Sequence, residues 1–417
     1  MTSKKEAGRQ TIFLVSEIFF PEETSTGYYL TAVAEHLAKL FEVSVLCSAP
    51  AGAESTLAKV ETYNGIRIRR FGRMSAATAT LMRRTFGAFW RMGCIFIRLL
   101  WILGEGDAVL TVTNPPFLPP MVALVCLLKR ARLVLLVHDV YPDAAVVAGI
   151  LARGSLVVRL WRRVQRRVYH RANRIICLGK DAKALIAASA LGIEAKLVVI
   201  PNWAEIRTVR VLKKEDSRFA AAQRITRRFV VLYVGNLGRT HDPELIVDAA
   251  RRLGKRSEIL FLVAATGSQF PGFVAGLELG PNPNIVAVPL PGSRAQQSDT
   301  LAAGDVVLIT FRADMAGVSV PSRMYNAMAA GKPLIGVTDA DSALALVIRE
   351  ESIGWVVPPG DAAALEQAVV EAYTDPVRLW EMGQRARVAA EMKYSPEDIL
   401  ARYQSLFESL TRESVRL

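Results

Sequence analysis

At 417 residues, 51% of them hydrophobic, the chain has room for two or three domains and a sizeable core. Its 52 Lys and Arg against 39 Asp and Glu give a formal charge of +13, which draws it to anionic lipid or phosphorylated substrate. No RNA-binding signature or zinc-finger spacing accompanies that charge, so no nucleic-acid partner is expected.

A mean hydropathy of +0.25 makes the chain oily for an enzyme free in solution. Cys47, Cys94, Cys126 and Cys177 are scattered without a C-x-x-C pair, which fits free thiols in a reducing compartment. The stretch Met1 to Gln10 is polar and lacks an apolar signal core, so the expected location is cytoplasmic.

Ile12 to Ser16 reads as a buried strand, Phe20 to Gly27 as a loop, Tyr28 to Lys39 as a helix, and Phe41 to Cys47 as a second strand. That βαβ order belongs to a doubly wound sheet. No G-x-G-x-x-G stands at the first turn, which argues against a dinucleotide cofactor, and no other cofactor is expected. Ile66 to Phe71 alternates apolar and cationic residues as a short strand does. Phe86 to Leu103 is nearly long enough to span a bilayer, but Arg91 and Arg98 lie about two helical turns apart on one side. Its aromatics and its arginine edge suit a helix lying on an anionic membrane surface; a helix packed on the sheet with snorkelling arginines is the alternative.

Asp107 to Thr113 is a strand stopped by Asn114-Pro115-Pro116, and a helix follows from Pro119 to Lys129. Leu133 to Val137 suits a central parallel strand. His138 and Asp139 stand just past it, where α/β sheets present residues to a ligand crevice. Trp161 to Arg174 is strongly basic, most simply a solvated helix face. Ile175 to Leu178 is the next strand, and residues 206–228 carry mixed charge and read as a linker.

The pattern then restarts. Phe229 to Val234 is a strand leading into the loop Gly235, Asn236, Leu237, Gly238, Arg239, whose glycines let backbone N–H groups approach a diphosphate while Arg239 neutralises it. Ile259 to Ala264 is a strand ending at Gly267; Asn284 to Leu290 and Asp305 to Ile309 are two more. The chain is organised around Gly317 to Ile335, a Gly/Ser/Pro loop opening a short helix at Ser322 and Arg323, stopped by Gly331 and Pro333. A polar loop at a helix start suits a phosphate, and Arg323 adds a donor fork. Leu334 to Val337 is a strand, and residues 362–417 read as helical.

The run Ser319-Val320-Pro321-Ser322-Arg323-Met324-Tyr325, followed by Ala330-Gly331-Lys332-Pro333, resembles the donor-binding segment of the GT-B retaining glycosyltransferases of family 4, in the WbuB- and WcaI-like branch. His138-Asp139 and Val199-Ile200-Pro201-Asn202-Trp203 are similar to that branch as well. The resemblance implies an α/β fold of two Rossmann-like, doubly wound domains facing across a cleft. These would be an acceptor-side domain at 10–205, a nucleotide-sugar domain at 228–385, and C-terminal helices at 386–417 packing back on the first.

It implies transfer of a sugar, with retention, from a nucleotide-sugar donor, UDP-linked before GDP-linked, to a lipid-linked or polysaccharide acceptor in exopolysaccharide or O-antigen assembly. The enzyme would be peripheral on the inner face of the plasma membrane. His138 and Asp139 become the catalytic candidates. Gly27, Gly235, Asn236, Gly238, Arg239, Gly267, Val288, Ser322, Arg323, Tyr325 and Asn326 become the donor-binding candidates, with Val288 on the strand edge that meets the base. The two glutamates that many members carry align with Val318 and Asn326, and the customary Arg and Lys with Asn236 and His241, so Arg239 and Arg323 are the expected phosphate cations. The second half offers no Asp-x-Asp site, so cationic side chains are expected to stand in for a metal. A sugar-nucleotide 2-epimerase and a non-catalytic nucleotide-sugar-binding subunit are the competing readings.

Overall fold

A computed structural model describes residues 10–22, 24–50, 57–74, 81–278 and 284–413. The expectation for Met1 to Gln10 falls, apart from Gln10, outside the described residues. The first domain carries β1 (Thr11–Val15), α1 (Ser25–Leu37), β2 (Glu42–Ala49), β3 (Val60–Tyr63), β4 (Ile66–Arg73), α2 (Leu81–Ile102), β5 (Ala108–Val112), α3 (Leu118–Leu128), β6 (Arg132–Val137), α4 (Asp143–Val147), α5 (Leu156–Arg171), β7 (Arg174–Cys177), α6 (Lys180–Ser189) and β8 (Leu197–Val199). Its strands run in the order β3-β4-β2-β1-β5-β6-β7-β8, parallel except for the β3–β4 hairpin. The central strands β1, β5 and β6 are apolar along nearly their whole length because helices cover both faces. Cys47, Cys126 and Cys177 are buried, and all four cysteines are free thiols.

After α7 (Arg218–Ala222), the second domain carries β9 (Phe229–Asn236), α8 (Pro243–Arg252), β10 (Ile259–Thr266), α9 (Phe270–Glu278), β11 (Ile285–Pro289), α10 (Gln297–Ala302), β12 (Val306–Thr310), α11 (Arg323–Ala329), β13 (Leu334–Val337), α12 (Ala343–Glu351), β14 (Gly354–Val357) and α13 (Ala362–Thr374). Its parallel sheet has the order β11-β10-β9-β12-β13-β14. Within the stretch expected as the linker, the Asp299 carboxylate accepts the backbone N–H groups of Arg218 and Phe219, at 2.8 and 2.9 Å, which docks it on the second domain. The helices α14 (Pro376–Lys393) and α15 (Pro396–Glu413) end the described chain. Helix α15 packs on α1, and Arg132 of the first domain donates to Leu410 O. Two doubly wound, Rossmann-like domains thus face one another in a GT-B arrangement.

Two seams join them on the side of the strand ends. Past β6, Val140 N–H donates to Val318 O at 2.9 Å, and Asp139 bridges Ser319. Beside it, Asp181 at the start of α6 accepts Gly317 N–H at 2.9 Å and Ala343 N–H at 2.7 Å. Gly317 has φ +74°, and a Cβ there would lie 2.8 Å from Asp181 O, so the close approach requires glycine.

Helix α2 corrects the expected placement of its arginines. Arg91 is buried, with Nη2 at 2.5 Å from Glu17 Oε1 and Nη1 donating to Arg73 O at 3.0 Å. Arg98, two turns on, also has its Nε shut off from solvent. Both point at the sheet, since residues seven apart share a face. The outward stripe is instead Phe86, Trp90, Ile97 and Trp101, the last 81% exposed. Among the described residues, no helix is long and apolar enough to cross a membrane.

Candidate active site

A cavity of about 850 Å³ lies between the domains at the carboxyl ends of both sheets. The first domain contributes Glu22, Thr24, Ser25 and Tyr29 around the start of α1, and Asp139 after β6. The second contributes the end of β9, the turn Leu290 to Arg294 after β11, and the loop Ser319 to Arg323 with Asn326.

Arg323 is the central cation. Its Nη1 donates to Val234 O at 3.4 Å, Nη2 donates to Asn236 O at 3.3 Å and to His241 Nε2, and its guanidinium lies 5.0 Å over the Tyr233 ring. His241 Nδ1 sits against the Gly238 turn, 3.2 Å from both its backbone N and its carbonyl oxygen. Burial, and then the adjacent Arg323, push the His241 ring down to about 3, so it is a neutral acceptor that aims the guanidinium. None of the atoms holding Arg323 is anionic, so its charge is left for a ligand. Gly235, with φ +127°, clears the way: a Cβ there would stand 3.4 Å from Arg323 Nη1.

His138 and Asp139 separate in role. Asp139 is on the wall, its Oδ2 accepting Asn114 Nδ2 at 2.9 Å, while Asn114 Oδ1 accepts the Tyr141 hydroxyl at 3.2 Å. His138 is half-buried just behind, its Nε2 closed off from solvent and without a hydrogen-bond partner among the described residues. Burial holds its pKa below the usual imidazole value, so the ring is neutral.

Gly235, Asn236, Ser322, Arg323, Asn326 and Asp139 line the one cavity; the other candidates do not. Arg239 points out of the same loop into a neighbouring hollow with Arg312, because the chain turns at Arg239 and Thr240, where His241 N–H donates to Gly238 O at 3.0 Å. Tyr325 lies in the core against Tyr394, with ring centroids 5.1 Å apart; it is on the inner face of α11, two residues from Arg323. Gly27 is a packing glycine, where a Cβ would meet Glu22 O at 2.4 Å. Gly267 serves the loop similarly, since a Cβ would meet Asn236 Oδ1 at 2.2 Å. Gly238 lies inside the β9–α8 turn, and Val288 is half-buried on its edge strand, two residues before the lining Leu290. Helix α11 has only seven residues, so its dipole is short and Arg323 carries the anion-binding argument.

Sequence reasoning missed Arg294 and the Glu205 group. Glu205 is buried, its carboxylate accepting the Tyr28 hydroxyl at 2.6 Å and Trp203 Nε1 at 2.8 Å, and burial raises its pKa. The Arg294 guanidinium lies 3.8 Å over the Tyr28 ring, joining the two domains at the cavity rim. Asn326 Oδ1 accepts Glu205 N–H at 3.2 Å, which leaves its amide N–H groups for the cavity. The turn Pro291-Gly292-Ser293 before Arg294 was the available signal.

Below neutrality the two imidazoles set an acid response. Burial depresses both ring pKa values, His241 from 6.5 to about 3, so the unfolded chain takes up more protons within that window. Their contribution to stability is full above pH 6.5 and fades as the pH falls through it. Urea melts at pH 7.5 and 5 are expected to show that loss, with a smaller one in His241→Gln; equal losses in the two proteins would remove His241 from the account.

A cleft between two Rossmann-like domains thus holds, at the strand ends, a guanidinium with no carboxylate ion-pair partner among the described residues. Residues 25–203 match the Glycosyl transferase 4-like domain, and residues 228–375 match Glycosyl transferases group 1. The chain is 29% identical to the probable glycosyltransferase WbjE of Pseudomonas aeruginosa, over 97% of this chain and 99% of that one. It is 24% identical to the putative colanic acid biosynthesis glycosyl transferase WcaI of Escherichia coli K12, over 92% and 96%. The fold is similar to that of Anabaena HepE in complex with UDP-glucose, with a TM-score of 0.73 at 15% identity, over 96% and 100% of the chains. The chain belongs to glycosyltransferase family 4, with the GT-B fold, and is a glycosyltransferase.

Proposed function

We propose that the protein transfers a sugar, with retention, from a nucleotide-diphosphate donor to a lipid-linked acceptor in surface-polysaccharide assembly. The observation that carries this reading is Arg323, a cavity cation held by a neutral histidine and two carbonyls and left for a diphosphate. The names of WbjE and WcaI support the glycan context, and the UDP-glucose complex of HepE supports a UDP-linked donor. In this reading Arg323 stabilises the charge that grows on the departing diphosphate as the anomeric C–O bond breaks, so no metal is needed for that step. The acceptor hydroxyl enters from the Asp139 side on the same face, and its proton passes to a leaving phosphate oxygen. Purified protein incubated with a panel of sugar nucleotides and a lipid-diphosphate acceptor is expected to release nucleotide at an unchanged rate in EDTA. Absence of both transfer and hydrolysis with every donor would overturn the reading.

The enzyme docks peripherally on an anionic membrane through its first domain. Phe86, Trp90 and Trp101 of α2, Leu124 and Leu128 of α3, and Leu156 and Leu160 of α5 are exposed on three successively packed helices. The cationic fringe comes from α5, where Arg159, Arg163, Arg166 and Arg167 are exposed, and not from α2. Sedimentation with anionic vesicles is expected at low salt and to weaken sharply as salt rises. Trp90→Ser with Trp101→Ser should reduce it at least about thirtyfold, each buried indole being worth on the order of 1–3 kcal/mol. No binding at low salt would rule the docking out.

A further inference from the structure

Arg239 and Arg312 flank a second, open hollow of about 370 Å³, lined also by Ser268, Gln269 and, from the first domain, Ala148. It therefore lies at the seam between the domains, beside the donor cavity and distinct from it. Its walls are tied to the loop that orients Arg323. Arg312 N–H donates to Thr240 O at 3.0 Å, Arg312 Nε donates to His241 O at 3.2 Å, and Gln269 Nε2 donates to Gly238 O.

Both arginines are exposed, and among the described residues neither makes an ion pair with a carboxylate. Nearby Arg153, by contrast, is paired with Asp314 at 2.7 Å. Two guanidinium groups around one hollow, neither in an ion pair among the described residues, suit a diphosphate, whose oxygens accept paired N–H donors. From Ala148 the chain runs straight into Ile150, Leu156, Val157 and Leu160, all exposed and apolar. Leu156 and Leu160 also belong to the face proposed to meet the membrane, so a diphosphate held in the hollow sits where a hydrocarbon chain attached to it reaches the bilayer. The donor diphosphate is already matched to Arg323 in the other cavity.

We propose that the Arg239–Arg312 hollow holds the diphosphate of the lipid-linked acceptor, its hydrocarbon chain lying along Ile150, Leu156 and Leu160 toward the membrane face. This rests on the transfer reading above and names the acceptor's chemistry. The test uses full-length protein and neutral phosphatidylcholine vesicles doped with either a polyprenyl diphosphate or the matching polyprenol. Wild-type protein is expected to sediment with the diphosphate vesicles about tenfold more strongly, and Arg239→Gln with Arg312→Gln to lose that preference.

The Tm rise caused by the nucleotide-sugar donor is expected to be the same in Arg239→Gln alone, which spares the Arg312 bond to His241 O and so reads the donor site separately. Retained preference in the double variant overturns the proposal. So does loss of the donor's Tm rise in Arg239→Gln, which returns Arg239 to the donor. Inorganic pyrophosphate that competes as well as the doped lipid, mole for mole, overturns the lipid assignment in favour of a free anion. A Tm rise absent in the wild type, with the vesicle preference present, would sink the transfer reading alone.

Discussion

Arg323→Ala is expected to lower kcat/KM for nucleotide release by about a hundred- to a thousandfold, the loss found when one preorganised donor to a developing oxyanion is removed. The fold should survive, because the side chain makes only long bonds to Val234 O and Asn236 O and a contact to the one imidazole. Arg323→Lys should fall between, keeping the charge and losing the planar fork that spans two phosphate oxygens. A second readout is independent of turnover. The neighbouring guanidinium is one of the two causes depressing the His241 pKa, so the alanine variant should titrate His241 at a higher pH, seen by NMR. A kcat/KM within about threefold of wild type would mean that Arg323 is not the leaving-group cation.

The alternation of buried strands and helices was legible because parallel strands covered on both faces leave continuous apolar runs, such as Leu133 to Val137. Strand β3 was not, since Val60-Glu61-Thr62-Tyr63 is a half-exposed edge joined to β4 by the turn at Asn64 and Gly65. At the site, sequence located the loops but not the directions of their side chains. Arg239 and Asn236 are three residues apart in one turn, and only Asn236 reaches the donor cavity. Tyr325 and Arg323 share a helix of seven residues, yet one is core and the other wall. Arg91 looked like a membrane-facing charge because its partner, Glu17, is 74 residues away in sequence. Arg294 drew no notice for the same reason: Tyr28, which it covers, belongs to the other domain.

Asp181→Ala should be the most damaging change away from the donor cavity, lowering stability by about 2–5 kcal/mol because it strips two buried N–H groups of their acceptor. Those groups, Gly317 N–H and Ala343 N–H, belong to the second domain, while Asp181 opens α6 of the first, so a single carboxylate spans the seam. The exposed Lys180–Glu350 pair alongside cannot replace it, being solvated on both sides. Urea unfolding followed by far-ultraviolet circular dichroism and by tryptophan fluorescence should coincide in the wild type and split in the variant, as the domains lose their coupling. Because Gly317 leads into the loop that carries Ser322 and Arg323, the variant's KM for donor should rise as well. Asp181→Asn keeps one acceptor oxygen and should lose roughly half as much stability. Gly317→Ala tests the same seam from the other side: its Cβ would stand 2.9 Å from Leu185 Cβ at a left-handed φ, so it too should separate the two transitions. Coincident transitions and a loss under about 0.5 kcal/mol in Asp181→Ala would show that the domains are held together elsewhere.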